Sequence, residues 1–329
     1  MKQLLNKLSN NQTLTKEEAK SALYDIATGK YDEVQTASFL TIFLMRKITA
    51  EELSGFKDAM LELANKVDFS DYNTIDLCGT GGDGKDTFNI STISAFLVAG
   101  AGEKVVKHGN YGVSSICGSS NVLEHLGLKF SNNADVLKNQ LEKAGICILH
   151  APLFHPAMKR VAPIRQSMGV KTFFNLLGPL INPASPNNHL LGVYSPEVAE
   201  LYSQALSNSP VNYQIVHSID GYDEISLTSD FIQFNKNGQS VDGPDYFGFR
   251  KQNPDDIIGG KTVPESAGLF HKILKGEGTL EQNRVVIANA ALAINCIHQE
   301  KNISECIEEA SESLYERKAL KSFITLLNI

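Results

Sequence analysis

Residues 76–92 carry the residue types that are best suited to chemistry in this chain. Residues 75–78 are apolar and predict a buried strand, and four glycines (Gly79, Gly81, Gly82 and Gly84) follow within six residues. A second apolar run, which begins at Asn89, predicts a helix. Glycines let the backbone approach a ligand closely, and a loop that leads into a helix start directs N–H groups at an anion such as phosphate. A tight turn is the alternative, but four glycines exceed what a turn needs.

Two known phosphate-binding motifs match this loop only in part. Residues 79–85 satisfy the first seven positions of G-x-x-x-x-G-K-[ST], but Asp86 stands where that motif has a hydroxyl residue, and its carboxylate would repel phosphate. The pattern G-x-G-x-x-G is also present, but the helix begins too late for the third glycine to pack helix against strand. Asp83 inside the loop indicates that a bound phosphate arrives with a metal or with other cations.

A second strand, loop and helix follow the first. Residues 104–106 predict a strand, and Lys107 after it offers a point charge to phosphate. The loop over 111–121 contains four serines and two glycines, and it leads into a helix predicted over 122–126. Hydroxyl groups and close backbone approach suit an anion. A serine-rich surface turn is the alternative, and the repetition of the same unit weakens it.

These motifs, taken in order, resemble the anthranilate phosphoribosyltransferases, which share the plan of the nucleoside-phosphorylase-like phosphoribosyltransferases. The resemblance extends over nearly the full length of the chain. The matching segments are 79–83, 87–92, 107–110, 155–158, 161–165, 174–180 and 220–224. One such segment is moderately specific, whereas the ordered set is highly specific.

The resemblance implies a Mg²⁺-dependent pentosyl transfer. Anthranilate and 5-phosphoribosyl 1-diphosphate would give N-(5-phosphoribosyl)anthranilate and pyrophosphate, an early step of tryptophan biosynthesis. An aromatic amine is neutral at pH 7, so it needs no deprotonation before it attacks the ribose. We therefore expect catalysis by positioning and by stabilisation of the leaving group, without a nucleophilic triad.

The resemblance also implies which residues form the site. Those for the phosphoribosyl diphosphate are Gly79, Gly82, Asp83, Thr87, Asn89, Ile90, Ser91, Thr92, Lys107, His108, Gly109, Asn110, Tyr111, Gly112, Val113, Ser114, Ser115 and Ser119. Those for anthranilate are Gly79, Asn110 and Arg165, and we expect His108 and residues 151–152 to line the same pocket. The metal ligands are Ser91, Asp223 and Glu224, and oxygen ligands suit Mg²⁺.

Arg165 and the acidic pair have plainer interpretations as well. A guanidinium matches a carboxylate in shape, but by composition alone Arg165 reads as a solvated arginine on a helix surface. Asp223 and Glu224 could form a solvated turn. The chain also departs from the family pattern, since Tyr111 stands where arginine is frequent and Asn121 where aspartate is frequent. Loss of a loop cation makes the Lys107 contact more important.

Composition narrows the class of protein. The chain has 329 residues, 42% of them hydrophobic, and a formal net charge of −7. This acidic balance argues against a nucleic-acid surface. The sequence contains no apolar run of the roughly 18 residues that a membrane span needs, and it begins without a signal peptide. Five cysteines without a C-x-x-C pair indicate reduced thiols, so we expect a cytoplasmic protein.

The pattern along the chain predicts an α/β fold with two domains. We expect a small N-terminal all-helical domain (1–70), with capping boxes at Thr15 and Thr49, and a larger α/β domain (71–329) with a mostly parallel central sheet flanked by helices. Strands are predicted over 75–78, 104–106, 146–149, 190–194, 213–217, 225–228 and 231–234. The resemblance implies that a segment near 165–185 returns to the helical domain, and that this domain forms a homodimer.

Three other functions remain open at this stage. A pyrimidine-nucleoside phosphorylase-like enzyme has a related plan, but it needs sites for free phosphate and a nucleobase. A P-loop nucleotidase is disfavoured by Asp86. A non-enzymatic, nucleic-acid-binding relative would need a basic groove, which the charge balance makes a poor fit.

Overall fold

The N-terminal part of the protein is helical. The computed structural model describes residues 1–112 and 117–329. The first helices are α1 (Lys2–Ser9), α2 (Lys16–Thr28), α3 (Glu33–Met45) and α4 (Ala50–Glu62). Helices α2 and α4 begin at Thr15 and Thr49, whose side chains accept hydrogen bonds from the N–H groups of Glu18 and Glu52. The two predicted capping boxes are therefore confirmed.

One twisted sheet forms the centre of the larger part. In the described residues its strands are β1 (Thr74–Gly79), β2 (Lys104–Gly109), β3 (Ile146–His150), β4 (Asn188–Gly192), β5 (Asn212–Ser218), β6 (Phe231–Asn235) and β7 (Gly238–Asp242). Their spatial order is β3-β2-β1-β4-β5-β6-β7, with β1 to β5 parallel and the last two antiparallel. The mostly parallel α/β architecture is confirmed.

Helices connect and flank the strands. They are α5 (Ile90–Gly100), α6 (Ser119–His125), α7 (Ala134–Ala144), α8 (Ala151–Phe154), α9 (Met158–Met168), α10 (Pro196–Leu206), α11 (Val263–Leu274), α12 (Leu280–Ile297), α13 (Ile303–Tyr315) and α14 (Lys318–Leu327). Short 3₁₀ helices occupy Phe173–Leu176, Gly178–Leu180, Pro244–Phe247 and Pro254–Ile257. Within residues 1–112 and 117–329, no helix combines the length and the apolar character that crossing a bilayer requires.

The direction of strand addition reverses at β1. From β1 the chain adds β2 and β3 on one side, and then returns to add β4 on the other. At the carboxyl edge, Gly79 of β1 pairs with Gly192 of β4. In open α/β sheets a crevice forms at such a reversal, outside the carboxyl ends of the strands, and ligands bind there.

The strand predicted over 225–228 is wrong. The N–H of its first residue, Ile225, donates to Asn289 Oδ1 at 3.1 Å, and the Ile225 carbonyl oxygen accepts from Asn289 Nδ2 at 2.8 Å, so neither group is bonded to a neighbouring strand. Leu227 has a left-handed backbone with φ of 60°, which a strand cannot contain. The segment is a loop. The acidic residues just before it, 223 and 224, lie at the carboxyl ends of β1 and β4.

An aromatic cluster joins the N-terminal helices to a later segment. Phe39, Phe43 and Phe56 pack together, and the ring of Phe173 stacks on that of Phe56 with centroids 4.3 Å apart. All four belong to one buried core. Offset and edge-to-face packing of such rings is favourable beyond burial alone. Residues near 173 are thereby fixed to the helical part of the chain.

A buried ion pair stabilises the same helices. The Glu52 carboxylate receives the Arg46 guanidinium, at 2.5 and 2.9 Å, and the backbone N–H groups of Leu14 and Thr49, at 2.8 and 3.0 Å. Burial disfavours the charged carboxylate, but these donors outweigh burial and lower the pKa of Glu52. The carboxylate therefore ties three separate segments together.

Glu52→Gln should destabilise the protein by about 3 kcal/mol at neutral pH, because it leaves a charged guanidinium without its partner. A lowered folded-state pKa contributes stability above the ordinary carboxyl pKa, and that contribution is lost as pH falls through the folded pKa. The difference from wild type should thus shrink in acid. Urea unfolding at several pH values measures it, with the exposed neighbour Glu51→Gln as control. An equal loss in both variants would contradict the role of Glu52.

Candidate active site

Asp223 lies over the paired carboxyl ends of β1 and β4. A Cβ atom added to Gly79 would clash with Asp223 Oδ2, and one added to Gly192 would overlap the Asp223 carbonyl oxygen. Any side chain at either glycine would therefore push Asp223 away. The two glycines allow the loop that carries the acidic pair to rest on the sheet edge, at the point where the strand order reverses.

The acidic pair also joins two other segments. The N–H of Gly81 donates to Asp223 Oδ2 at 2.6 Å, and the N–H of Ser91 donates to Glu224 Oε1 at 2.9 Å. Ser91 lies in the first turn of α5, where unpaired N–H groups and the helix dipole favour a negative charge. The structure thus brings together three predicted metal ligands, Ser91, Asp223 and Glu224, from segments far apart in sequence.

The glycine loop, residues 79–84, has a backbone that only glycine adopts readily. Gly81, Gly82 and Gly84 have φ values of 62°, 76° and 72°. Asp83 Oδ1 accepts the N–H of Lys85 at 3.0 Å and so closes the end of the loop. Successive backbone N–H groups in turn conformations form concavities that bind anions such as phosphate.

Negative charge accumulates at this point. Burial and the neighbouring Asp83 carboxylate raise the pKa of Asp223. Burial and the Asp223 charge raise the pKa of Glu224 well above its usual range. Two carboxylates in one partly dry crevice repel each other, so either a proton or a cation must offset their charge. The donor set is oxygen only, which fits Mg²⁺.

The acidic pair by itself is not a complete set of metal ligands. Among residues 1–112 and 117–329, no group of three or more His, Cys, Asp and Glu side chains is arranged to hold a metal. Mg²⁺ commonly takes one or two carboxylates and completes its shell with water and substrate phosphate. The acidic pair therefore fits a metal that arrives with a phosphorylated substrate.

Lys107 is buried beneath this region. Its residue is 3% exposed, and its Nζ donates to the Leu77 carbonyl oxygen at 2.6 Å. The Lys107 ammonium group therefore contacts β1 at Leu77, two residues before the glycine loop begins. The neighbouring His108 gives its N–H to Asp76 Oδ1 at 3.1 Å, and Asp76 also accepts from Asn182 Nδ2 at 2.8 Å. This buried network fixes the ends of β1 and β2 relative to each other.

The second predicted loop is hydrogen-bonded to the residue that precedes α5. Asn89 Nδ2 donates to the Cys117 carbonyl oxygen at 3.1 Å. Gly109 ends β2 so close to Ser119 that an added Cβ would lie 2.6 Å from Ser119 Oγ. The Asn110 carbonyl accepts the N–H of Ser120 at 3.2 Å. These contacts hold the end of β2 and the starts of α5 and α6 together.

The remaining predicted positions differ in what they contact. Thr87 forms a backbone bridge to Ile258. Ile90 and Thr92 are buried in the first turn of α5. The Tyr111 hydroxyl donates to Glu124, and the Gly112 N–H donates to Asn121 Oδ1 at 2.9 Å. Three predicted residues, Val113, Ser114 and Ser115, lie outside the described residues.

Arg165 is held by its neighbours and is not a solvated surface residue. It lies in α9, its Nη2 donates to Asn175 Oδ1 at 3.1 Å, and its guanidinium is 5.2 Å from the centre of the Phe174 ring. Burial lowers the pKa of Arg165. A half-buried guanidinium with a fixed orientation is the group that a planar carboxylate requires.

Two histidines form a small buried pair beside the sheet edge. The rings of His108 and His155 lie with centroids 5.1 Å apart, and burial lowers their pKa values to about 3 and about 4. Both are therefore neutral at pH 7. His108 Nδ1 lies 3.2 Å from the Gly178 carbonyl oxygen, so we assign the proton to Nδ1. Its Nε2 is buried and has no partner among the described residues.

Sequence reasoning missed Gly192, Asn175 and Lys171. Gly192 carried no signal beyond a glycine at the end of a strand. Asn175 fell inside a matched segment without an assigned role. Lys171 Nζ donates to the Gly82 carbonyl oxygen at 2.6 Å, a contact across 89 positions that no local pattern indicates.

Asp223→Asn should raise the melting temperature of the metal-free protein by several degrees at about pH 8, by less at about pH 5, and hardly at all below about pH 4, the ordinary range of a carboxyl pKa. A raised folded-state pKa contributes stability below the ordinary carboxyl pKa, and this is lost as pH rises through the folded value. Asparagine removes the charge but keeps an oxygen for the Gly81 N–H.

Thermal unfolding in the presence of a chelator measures this effect, with the exposed Asp71→Asn as the control. A variant that is less stable than wild type at both pH values would contradict the proposed repulsion between the two carboxylates.

Comparison with known proteins agrees with this architecture. Residues 2–64 match the glycosyl transferase family, helical bundle domain, and residues 71–320 match the glycosyl transferase family, a/b domain. The chain is 54% identical over 322 residues to an anthranilate phosphoribosyltransferase of Flavobacterium johnsoniae, and the match covers 98% of this chain and 97% of that protein. It is 49% identical over 331 residues to one of Bacteroides thetaiotaomicron, covering 100% of each.

Solved structures give the same result. The chain is similar to anthranilate phosphoribosyltransferase from Thermus thermophilus, with a TM-score of 0.93, 31% identity and coverage of 98% of both chains. It is also similar to the enzyme from Saccharomyces cerevisiae in complex with PRPP and Mg, with a TM-score of 0.91, 27% identity and coverage of 98% and 96%. On this evidence, the chain belongs to the anthranilate phosphoribosyltransferase family.

Proposed function

We propose that this protein transfers the 5-phosphoribosyl group of 5-phosphoribosyl 1-diphosphate to the amine of anthranilate, with release of pyrophosphate. The observation that carries the proposal is the meeting of the glycine loop, the start of α5 and the pair Asp223–Glu224 at the β1–β4 edge. This crevice suits a diphosphate and its cation. Arg165 is linked to it through the segment that contains Asn175 and Lys171.

The donor would bind at the glycine loop. Its left-handed residues supply N–H groups, and the first turn of α5 adds the helix dipole. The chain has a net charge of −7, so local donors and a cation, not a general positive field, must hold the anionic donor. The buried charge of Lys107 next to the loop favours the same ligand.

Asp223, Glu224 and Ser91 would hold Mg²⁺. The yeast relative of known structure was solved with PRPP and Mg, which supports this assignment. When bound, the ion offsets the charge of the carboxylates and of the departing diphosphate. The Gly81 and Ser91 N–H groups donate to the same two carboxylates, which thereby fix the glycine loop and the start of α5 on either side of the donor.

The acceptor would bind between Arg165 and the sheet edge. The guanidinium, oriented by Asn175 and Phe174, would receive the ring carboxylate. Gly79 and Asn110 lie at the ends of the adjacent strands β1 and β2. The neutral His108, whose Nδ1 is directed at Gly178 and whose Nε2 is buried without a partner among the described residues, would line the same pocket.

The chemical step needs positioning more than acid–base groups. The amine nitrogen forms a bond to ribose C1 as the bond from C1 to the diphosphate oxygen breaks, and the bonding pair leaves with pyrophosphate. The nitrogen becomes acidic only after it has attacked, when it loses a proton. Alignment of the two substrates and stabilisation of the leaving charge account for the rate enhancement. Exclusion of water from the crevice limits hydrolysis of the donor.

The alternatives from the sequence are not favoured. Relatives at 44–55% identity over nearly the whole chain carry the name anthranilate phosphoribosyltransferase. A half-buried guanidinium suits an aromatic acid better than the neutral base of a pyrimidine nucleoside. The acidic crevice is the opposite of a nucleic-acid groove.

The division into domains and the assembly are part of this proposal. Residues 1–70 would form the helical domain, with the segment near 165–185 added to it, and 71–329 the α/β domain. The packing of Phe173 against Phe39 and Phe56 supports this division. Val34, 76% exposed, and Met45, 83% exposed, on α3 support a homodimer through the helical domain. A cytoplasmic location stays a prediction from the sequence.

Purified protein should consume anthranilate, followed by its fluorescence, only when 5-phosphoribosyl 1-diphosphate and Mg²⁺ are both present. Glu224→Gln should lower kcat/KM by about a hundredfold or more, because it removes a carboxylate that would hold the Mg²⁺ ion, and that ion would offset the charge of the leaving diphosphate. Thymidine with phosphate should not react. Turnover of thymidine, or unchanged Mg²⁺-dependent rates in the variant, would contradict the proposal.

Arg165→Ala should raise the KM for anthranilate by about 10–100-fold, because a hydrogen bond to a charged group contributes roughly 1.5–3 kcal/mol. The KM for the phosphoribosyl donor should change far less. Steady-state kinetics with each substrate varied in turn measure the two values, and Arg160→Ala, an exposed arginine on the same helix, is the control. Equal increases in both KM values would remove Arg165 from the acceptor site.

A further inference from the structure

Lys171 connects the segment after α9 to the glycine loop. Its Nζ donates to the Gly82 carbonyl oxygen at 2.6 Å. Gly82 has a φ of 76°, and a Cβ added there would lie 3.1 Å from the same Nζ and 3.5 Å from Cε. The lysine therefore lies against the face of the loop that a side chain would otherwise occupy, and it holds the Gly82 carbonyl in one direction.

The same segment is bonded to Arg165. Asn175 Oδ1 accepts the N–H of Thr172 and the Nη2 of Arg165, both at 3.1 Å. Thr172 directly follows Lys171 in the chain. One side-chain oxygen thus holds the backbone next to the lysine and the guanidinium of the acceptor site at the same time.

The connecting segment is well anchored. Phe173 and Phe174 stack with centroids 4.8 Å apart, and both belong to the buried core of the helical part. A segment fixed by packed aromatic rings transmits a displacement at one end to the other, because a close-packed interior does not deform freely. A shift of Lys171 is therefore expected to displace Thr172, Asn175 and Arg165 as well.

We propose that Lys171 is a positioning residue that couples the donor half-site at the glycine loop to the acceptor half-site at Arg165. The inference rests on the proposed function, because it assigns ligands to the two half-sites. A diphosphate at the glycine loop fixes Gly82, and with it Lys171 and the segment to Asn175. The orientation that Arg165 has in this structure is then held more firmly, so the first ligand lowers the ordering cost of the second.

The coupling is strongest in the substrate-bound crevice. Lys171 is exposed in this structure, and a hydrogen bond in contact with water contributes little. When bound substrate displaces water, the charge of the lysine acts through a lower dielectric and the contact strengthens. Because coupling between binding sites is reciprocal, anthranilate must tighten the binding of the diphosphate by the same factor.

The test compares Lys171→Met, which keeps the length and removes the charge, with Lys171→Arg, which restores a donor. Lys138→Met, an exposed lysine on α7, is the control. The anthranilate Kd is measured with and without Mg²⁺ and pyrophosphate, which fills the diphosphate position without reacting. In wild type, pyrophosphate should tighten anthranilate binding by about tenfold. Lys171→Met should bring this factor close to one without changing the Kd of anthranilate alone, while the arginine and control variants keep it.

A second measurement needs no substrate. Hydrogen exchange of the amides in residues 80–85 should be several-fold faster in Lys171→Met than in wild type, and Lys171→Arg should restore the slower rate. If wild type fails to transfer phosphoribosyl, the proposed function is lost, and this exchange measurement still decides whether the lysine orders the loop.

The outcomes separate coupling from a plain phosphate contact. If Lys171→Met raises the KM for the phosphoribosyl donor but leaves the pyrophosphate-dependent factor intact, the lysine only contacts the anion and the proposal is overturned. A wild type without any coupling factor overturns it as well. Loss of the factor in the methionine variant, with rescue by arginine, supports it.

Discussion

The structure depends on the close packing of a loop against two glycines at the reversal point of the sheet. Gly79 and Gly192 are paired across β1 and β4, and together they leave room for the Asp223 backbone and carboxylate. This contact places two buried carboxylates with raised pKa values at the edge where the loops of several strands converge. The resulting repulsion between negative charges destabilises the protein when no cation is bound. The same charges attract the cation that accompanies a diphosphate.

The acceptor side is built on a different support. Arg165 belongs to α9, and its orientation depends on Asn175, which is fixed to the helical part through the neighbouring phenylalanines. The two substrates would therefore be held by separate structural units that meet at Lys171 and Gly82. Such an arrangement lets the crevice admit both substrates and then align them, which is the main requirement of a reaction without an acid–base catalyst.

Local patterns in the sequence predicted a large part of this organisation. Glycine spacing, capping boxes and apolar runs identified the glycine loop, the starts of α2 and α4, and five of the parallel strands to within a few residues. The strand at 225–228 was wrong, because Asn289 on a distant helix takes the hydrogen bonds of Ile225. Gly192, Asn175 and Lys171 were missed for the same reason: their roles arise from contacts between residues distant in the chain. Periodicity reports which face of an element is buried, but it carries no information about such contacts.

The most direct test of the account is a crystal structure of this protein with 5-phosphoribosyl 1-diphosphate and Mg²⁺. We expect the diphosphate to lie against the glycine loop and the first turn of α5, the metal beside Asp223 and Glu224, and ribose C1 facing the space next to Arg165. A donor bound elsewhere, or a metal distant from the acidic pair, would contradict the claim that the β1–β4 edge is the active site.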